Sequence, residues 1–197
     1  ELHLPHHFHP DSFESDGYVQ PYSDTPLDGE IVGENVYLNI INRARKYVYI
    51  CTPYLIIDNE MMTALCLAAK SGVDVRIMTP GIPDKKIVFL LTQSYYEQLL
   101  EAGVHIYEYQ PGFLHAKSFV CDDEIAVVGT INLDYRSLYL HFENGVWFYK
   151  NKVIQDILSD FQETLNYCDP ISIDFCRNRN IVIRAFQSIL RLFAPLL

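Results

Sequence analysis

From Gly33 onward the apolar residues switch repeatedly between a helical and a strand period, and that alternation restricts the chain to an α/β layer fold. Val36, Ile40, Ile41 and Ala44 recur at helical spacing, and Tyr47 to Thr52 follows as a β-branched and aromatic run suited to a strand. Asp58 stands where a helix needs an N-cap, so a helix is predicted from there through Lys70, stopped by Gly72. Val73 to Met78 reads as the next strand, Asp84 to Ala102 as the next helix, closed by Gly103, and Val104 to Tyr109 as a further strand. No internal repeat is visible.

The ends differ from this body. Residues 1–30 contain no Lys or Arg but seven acids, four prolines and four of the seven histidines (His3, His6, His7, His9), a composition expected of a linker-like arm. A metal site from those histidines is the alternative reading of the same stretch. Residues 31–174 are expected to form the domain, and 175–197 a basic amphipathic helix. In that helix Val182, Phe186, Ile189 and Phe193 line one stripe, with Arg184, Gln187, Ser188 and Arg191 opposite. Such a helix suits an anionic bilayer surface, or packs on the domain's own core or on the missing half.

Charge narrows the partners. Four of the fifteen basic residues and none of the 25 acids follow Asp174, so the first 174 residues carry −14 of the net −10 and the tail +4. A body that acidic repels a phosphate backbone, and nucleic acid is not the expected partner. The longest uncharged run, Tyr47 to Ile57, falls well short of the roughly 18 residues that span a bilayer, so this stretch of chain is expected to be soluble or peripheral. Five widely spaced cysteines suggest neither a disulfide framework nor a zinc site, and favour a reducing compartment.

The chemistry concentrates between residues 113 and 143. Two apolar segments flank Asp122-Asp123, which predicts a hairpin with a two-residue turn that pairs His115 with Thr130 and Lys117 with Val128. Alternation then places His115 and Lys117 on one face, with Thr130 and Asn132 at the same end. An imidazole, an ammonium, a hydroxyl and an amide so gathered suit a phosphodiester: Lys and Asn neutralise non-bridging oxygens while His attacks phosphorus. Glu143 is placed to hold the far ring nitrogen of His115.

His115, Lys117 and Asp122 at H-x-K-x4-D spacing, followed by Gly129-Thr130-x-Asn132, resemble the signature of the phospholipase D superfamily. Thr52-Pro53-Tyr54, Gly72-Val73-Asp74-Val75-Arg76, Ala102-Gly103-Val104, Gly112 to Lys117 and Asn132-Leu133-Asp134-Tyr135-Arg136-Ser137 are similar to bacterial cardiolipin synthases, from about Tyr22 to the C-terminus. More specifically, the chain resembles their C-terminal catalytic half.

That resemblance implies a phospholipase D-like α/β/α sandwich with a mixed central sheet, one repeat of the usual two. It implies phosphatidyl transfer between two phosphatidylglycerol molecules, giving cardiolipin and glycerol, at the cytoplasmic face of a bacterial membrane. His115 would be the nucleophile, or the acid/base with the other half's histidine attacking. Lys117 and Asn132 would hold phosphate oxygens, Thr130 would hydrogen-bond nearby, and Glu143 would orient His115. Asp122 is read as structural, and neither a metal nor an organic cofactor is implied. Thr130 stands where serine is commoner, and His141 where asparagine is. One motif supplies half a site, so the other half or a second copy is the expected partner. The readings set against this are a dimeric phosphodiesterase or nuclease, and a membrane-binding fragment without turnover.

Overall fold

The computed structural model describes residues 16–196. Strand β1 (Tyr18–Asp24) precedes helix α1 (Val32–Arg43), and β2 (Tyr47–Cys51) and the short β3 (Leu55–Ile56) lead into α2 (Asn59–Lys70). Then come β4 (Asp74–Pro80), α3 (Lys86–Ser94), α4 (Tyr96–Glu101), β5 (His105–Tyr109), β6 (Ser118–Cys121) and β7 (Ile125–Gly129). The short β8 (Leu133–Asp134), α5 (Tyr135–Tyr139), β9 (Glu143–Tyr149), α6 (Val153–Leu165), β10 (Cys168–Pro170), α7 (Ile173–Arg177) and α8 (Ile181–Leu192) complete the chain, with a 3-10 turn at Ala194–Leu196.

Eight strands form one mixed sheet in the order β1-β9-β7-β6-β2-β4-β5-β10, and β3 pairs with β8 in a separate two-stranded sheet. The β2-β4-β5 core is parallel and the remaining pairings of the large sheet are antiparallel. Alternation sorts the two faces: Phe119 and Val127 join Tyr37, Ile41 and Leu65 in the main core, while Val120 and Ala126 meet Ile154 of α6 on the other side. This is the expected α/β/α sandwich around a mixed sheet.

The predicted helix caps and stops follow local chemistry. Asp58 accepts the Met61 N–H at 2.8 Å, and Gly72 and Gly103 end their helices at φ 93° and 98°. The predicted helix over 84–102 is instead two. Tyr95 N–H turns to Thr92 O, and the neighbouring rings of Tyr95 and Tyr96 are both buried, Tyr96 hydroxyl meeting Thr79 at 2.7 Å.

Three expectations need correction. The arm over 1–30 holds a full strand, β1, which pairs with β9 and seats Tyr22 against Gly145, because the backbone of β9 would otherwise present an unpaired edge. The histidine cluster at 3–9 lies outside the described residues. The tail over 175–197 is not one helix: α7 begins at Ile173, before the expected boundary, capped by Ser172, and α8 starts anew at Asn180, whose side chain accepts from Val182 N–H at 2.8 Å. Thirdly, the hairpin register is shifted by one. Asp122 and Asp123 do make the left-handed two-residue turn, at φ 53° and 60°, closed by Glu124 N–H to Cys121 O. Glu124 is then an extra residue whose carbonyl accepts from Lys150 N–H at 2.8 Å, so Cys121 pairs with Ile125 and Ser118 with Val128.

Candidate active site

The site lies at one end of the large sheet, where β2, β4, β5 and β7 end and β6 and β9 begin. Chains leaving parallel strands at their carboxyl ends leave a crevice there, the usual place for a ligand in an open α/β sheet. His115 is not on a strand. Residues 111–117 approach β6 without regular pairing, and His115 stands exposed beside Phe113, ring centroids 5.6 Å apart. Among the described residues nothing hydrogen-bonds its ring.

Lys117 is half-buried and folds its ammonium onto the His115 carbonyl at 2.7 Å. With the shifted register its backbone carbonyl accepts from Gly129 N–H at 3.2 Å, so a glycine rather than Val128 lies across from it. Burial lowers the ammonium below the ordinary lysine value, against the opposing pull of the Glu143 and Asp134 carboxylates. A cation so placed, partly dried and near two carboxylates, is suited to meet an anion without first shedding a full hydration shell.

Gly129 has no room for a side chain: a Cβ would lie 2.4 Å from Asn144 O and 2.7 Å from Gly145 Cα. This close approach lets the chain leave β7 toward β9, where Thr130 N–H donates to Asn144 O at 2.8 Å and Thr130 Oγ1 accepts from Asn144 N–H at 3.0 Å. The Thr130 hydroxyl also donates to Glu143 Oε2. The other Glu143 oxygen lies 3.5 Å from Nδ1 of His141. Glu143 is therefore engaged by Thr130 and His141, not by the ring of His115 as the sequence suggested.

Asn132 Nδ2 bonds Ser137 Oγ at 2.9 Å, and its Oδ1 is buried without a partner. Because Ser137 hydroxyl can donate as well as accept, the amide can turn over and keep this bond, and in either orientation one polar atom of Asn132 stays buried and unpaired. Asp122 sits at the opposite end of β6, its carboxylate accepting the backbone N–H groups of Arg45, Lys46 and Tyr47.

Residues without an assigned role in the sequence reading complete the surroundings. Thr52 Oγ1 donates to Tyr54 O and accepts from Leu133 N–H at 3.1 Å, tying the loop after β2 to the segment that carries Asn132. Tyr54 faces Phe113 at 6.1 Å and donates to Asp84 at 2.6 Å. Asp134 and Ser137 lie in the same block, Asp134 capping α5 through Ser137 N–H. Both blocks, Thr52 to Tyr54 and Asn132 to Ser137, were visible as motif text; their role in positioning was not. Among the described residues no group of three or more His, Cys, Asp or Glu is placed to hold a metal ion.

The fold is shared with solved phospholipase D family structures: a family member, Nuc from Salmonella typhimurium, superposes with a TM-score of 0.65 at 20% identity, over 78% of this chain and 97% of that one. The family description "Cardiolipin synthase, PLD-like domain" matches residues 37–165, and the chain belongs to that family. It is 53% identical over 195 residues to an uncharacterized protein of Streptococcus mutans, covering 99% of this chain and 42% of that protein. It is 41% identical over 186 residues to a cardiolipin synthase of Halalkalibacterium halodurans, covering 94% of this chain and 37% of that enzyme. The chain thus spans about two fifths of the length of these relatives.

Proposed function

We propose that the chain is one catalytic half of a phosphatidyltransferase that converts two phosphatidylglycerol molecules to cardiolipin and glycerol, working at the cytoplasmic face of a bacterial membrane. The observation that carries this reading is exposed His115, whose backbone carbonyl holds the burial-lowered ammonium of Lys117, with Thr130, Glu143 and Asn132 at the same end of the sheet.

In the first step a ring nitrogen of His115 bonds to phosphorus, the bond from phosphorus to the glycerol oxygen breaks, and the leaving oxygen takes a proton from a histidine of the second half. Lys117 and Asn132 bind the non-bridging oxygens as negative charge grows on them. In the second step the free hydroxyl of another phosphatidylglycerol gives its proton back to that histidine and attacks phosphorus, and the bond to His115 breaks. The roles of the two histidines are interchangeable by the pseudo-symmetry. Glu143 and Thr130 hold the floor beneath Lys117, and Asp122 anchors the hairpin from its far end.

The second half is either the rest of a longer chain, for which the relatives' lengths speak, or a second copy, and the Salmonella protein, matched over 97% of its length by this one domain, is a family member with a single repeat. Against the alternative of a dimeric phosphodiesterase counts the −14 carried by residues 1–174. The test is cardiolipin formation from phosphatidylglycerol vesicles by the chain alone and by the chain joined to a first half, each beside His115→Ala and a plasmid-cleavage assay. Transfer abolished in His115→Ala is the expected result. Plasmid cleavage without transfer would replace the lipid reading with the phosphodiesterase one.

A further inference from the structure

An amphipathic helix on a protein surface ordinarily turns its apolar stripe inward. Helix α8 packs Leu190 on the core but otherwise turns its polar stripe inward. Gln187 is its buried residue, donating to Leu90 O of α3 at 2.9 Å, and Arg191 lies over the Tyr95 ring at 4.4 Å. Arg184 reaches Glu97, and just before the helix Arg179 reaches Gln93 and Arg177 reaches Glu101. The polar stripe is thus spent on α3 and α4. The outer arc is left to Ile181, Val182, Ile189, Leu192 and Phe193, with Ile181 80%, Val182 70% and Leu192 78% exposed. So large a continuous apolar arc in water is a surface with an occupant.

We propose that this outer face of α8 is where the domain seats on an anionic lipid bilayer, lying in the plane of the interface. The choice of a bilayer rests on the lipid chemistry proposed above, and two features favour it. The four arginines after Asp174 are matched by Glu97, Glu101, Glu108 and Asp174, and exposed Lys85 and Lys86 at the start of α3 outnumber Asp84, so the surroundings of α8 are close to neutral where the rest of the chain is acidic. The rest of the molecule is strongly acidic, so an anionic surface repels the other sides and leaves this one to approach it, with Lys85 and Lys86 at its margin.

The position is also right for delivery. Helix α3 carries α8 through Leu90, and the turn before α3 holds Asp84, the partner of Tyr54, whose ring faces Phe113 and, through it, His115. Exposed Ile82 and Ile87 lie between, so the apolar surface runs from α8 toward the loop that bears His115. An interface bound along α8 brings lipid headgroups to the side of the domain from which the site is reached.

The experiment is flotation of the chain with phosphatidylcholine vesicles and with vesicles containing phosphatidylglycerol. Wild type is compared with Val182→Ser/Ile189→Ser/Leu192→Ser, whose exposed positions leave the core untouched, as circular dichroism melting checks. Removing three large apolar contacts is expected to weaken binding to the phosphatidylglycerol vesicles more than about tenfold. His115→Ala should float like wild type, which separates this surface from the catalytic reading: absent transfer activity leaves the flotation result standing. In an Ile189→Trp variant, bromine-labelled acyl chains should quench the new tryptophan. Unchanged flotation of the triple variant overturns the proposal, as does a dimer in light scattering that the triple variant dissolves.

Discussion

Replacing Asp122 by alanine separates an anchoring role from a chemical one for the third member of the H-x-K-x4-D motif. Its Oδ2 accepts Arg45 N–H at 2.7 Å and its Oδ1 accepts Lys46 and Tyr47 N–H at 2.9 Å each, joining the β6-β7 turn to the start of β2, 75 to 77 residues earlier. A hydrogen bond to a charged acceptor contributes about 1.5–3 kcal/mol where water is excluded. Two of these three are exposed, and water replaces what is lost there, so the set is worth about 2–3 kcal/mol rather than the full sum. Alanine at φ 53° adds on the order of 1 kcal/mol of left-handed backbone strain.

A loss of about 3 kcal/mol in a domain of this size lowers Tm by roughly 6–12 °C. Asp122→Asn, which tolerates the left-handed conformation and keeps one acceptor oxygen, should lose about half as much. The turn lies five residues from Lys117, about 16 Å along the strand. Phosphatidyl transfer assayed well below the variant's Tm should therefore keep a wild-type kcat. The measurement pairs thermal and urea unfolding with initial rates. An alanine variant that melts like wild type but loses its rate would refute the anchoring argument and move Asp122 into the chemistry.

Two further perturbations probe the site and its neighbourhood. Thr130→Val leaves Asn144 N–H and the Glu143 carboxylate without their hydroxyl partner, and should cut kcat at least about tenfold with KM little changed, whereas Thr130→Ser should retain activity; equal rates for both would remove Thr130 from the machinery. Buried Glu34 has its carboxyl pushed up to about 7, by burial first and then by Asp58, so the folded state keeps a proton that the unfolded chain releases near 4.5. Its contribution to stability is full below 4.5 and is lost as pH rises to about 7; Asp58, held below its ordinary range by hydrogen bonds that outweigh burial, does not titrate in that window. Urea midpoints from pH 5 to 8 should fall in wild type and flatten in Glu34→Gln, and parallel profiles would contradict this.

The alternation of periods, the Asp58 cap and the stops at Gly72 and Gly103 are local facts, set by side chains within a turn of one another, and they were legible in the sequence together with the motif that marks residues 113 to 143 as the candidate site. What tertiary structure decided was non-local. Glu124 became an extra residue in the hairpin because its carbonyl pairs with Lys150 on β9, and no pattern within 113–132 carries that choice. Residues 18–24 look like linker by composition, yet form a strand because β9 offers an edge. Glu143 turned to Thr130 and His141 because the chain crosses from β7 to β9 at Gly129, a contact of two backbones. The stripes of α8 are written in its sequence, but which stripe faces the body is not: periodicity defines a helix's faces, and only the partners waiting on α3 and α4, carboxylates, a carbonyl and an aromatic ring, determine that the polar one turns inward.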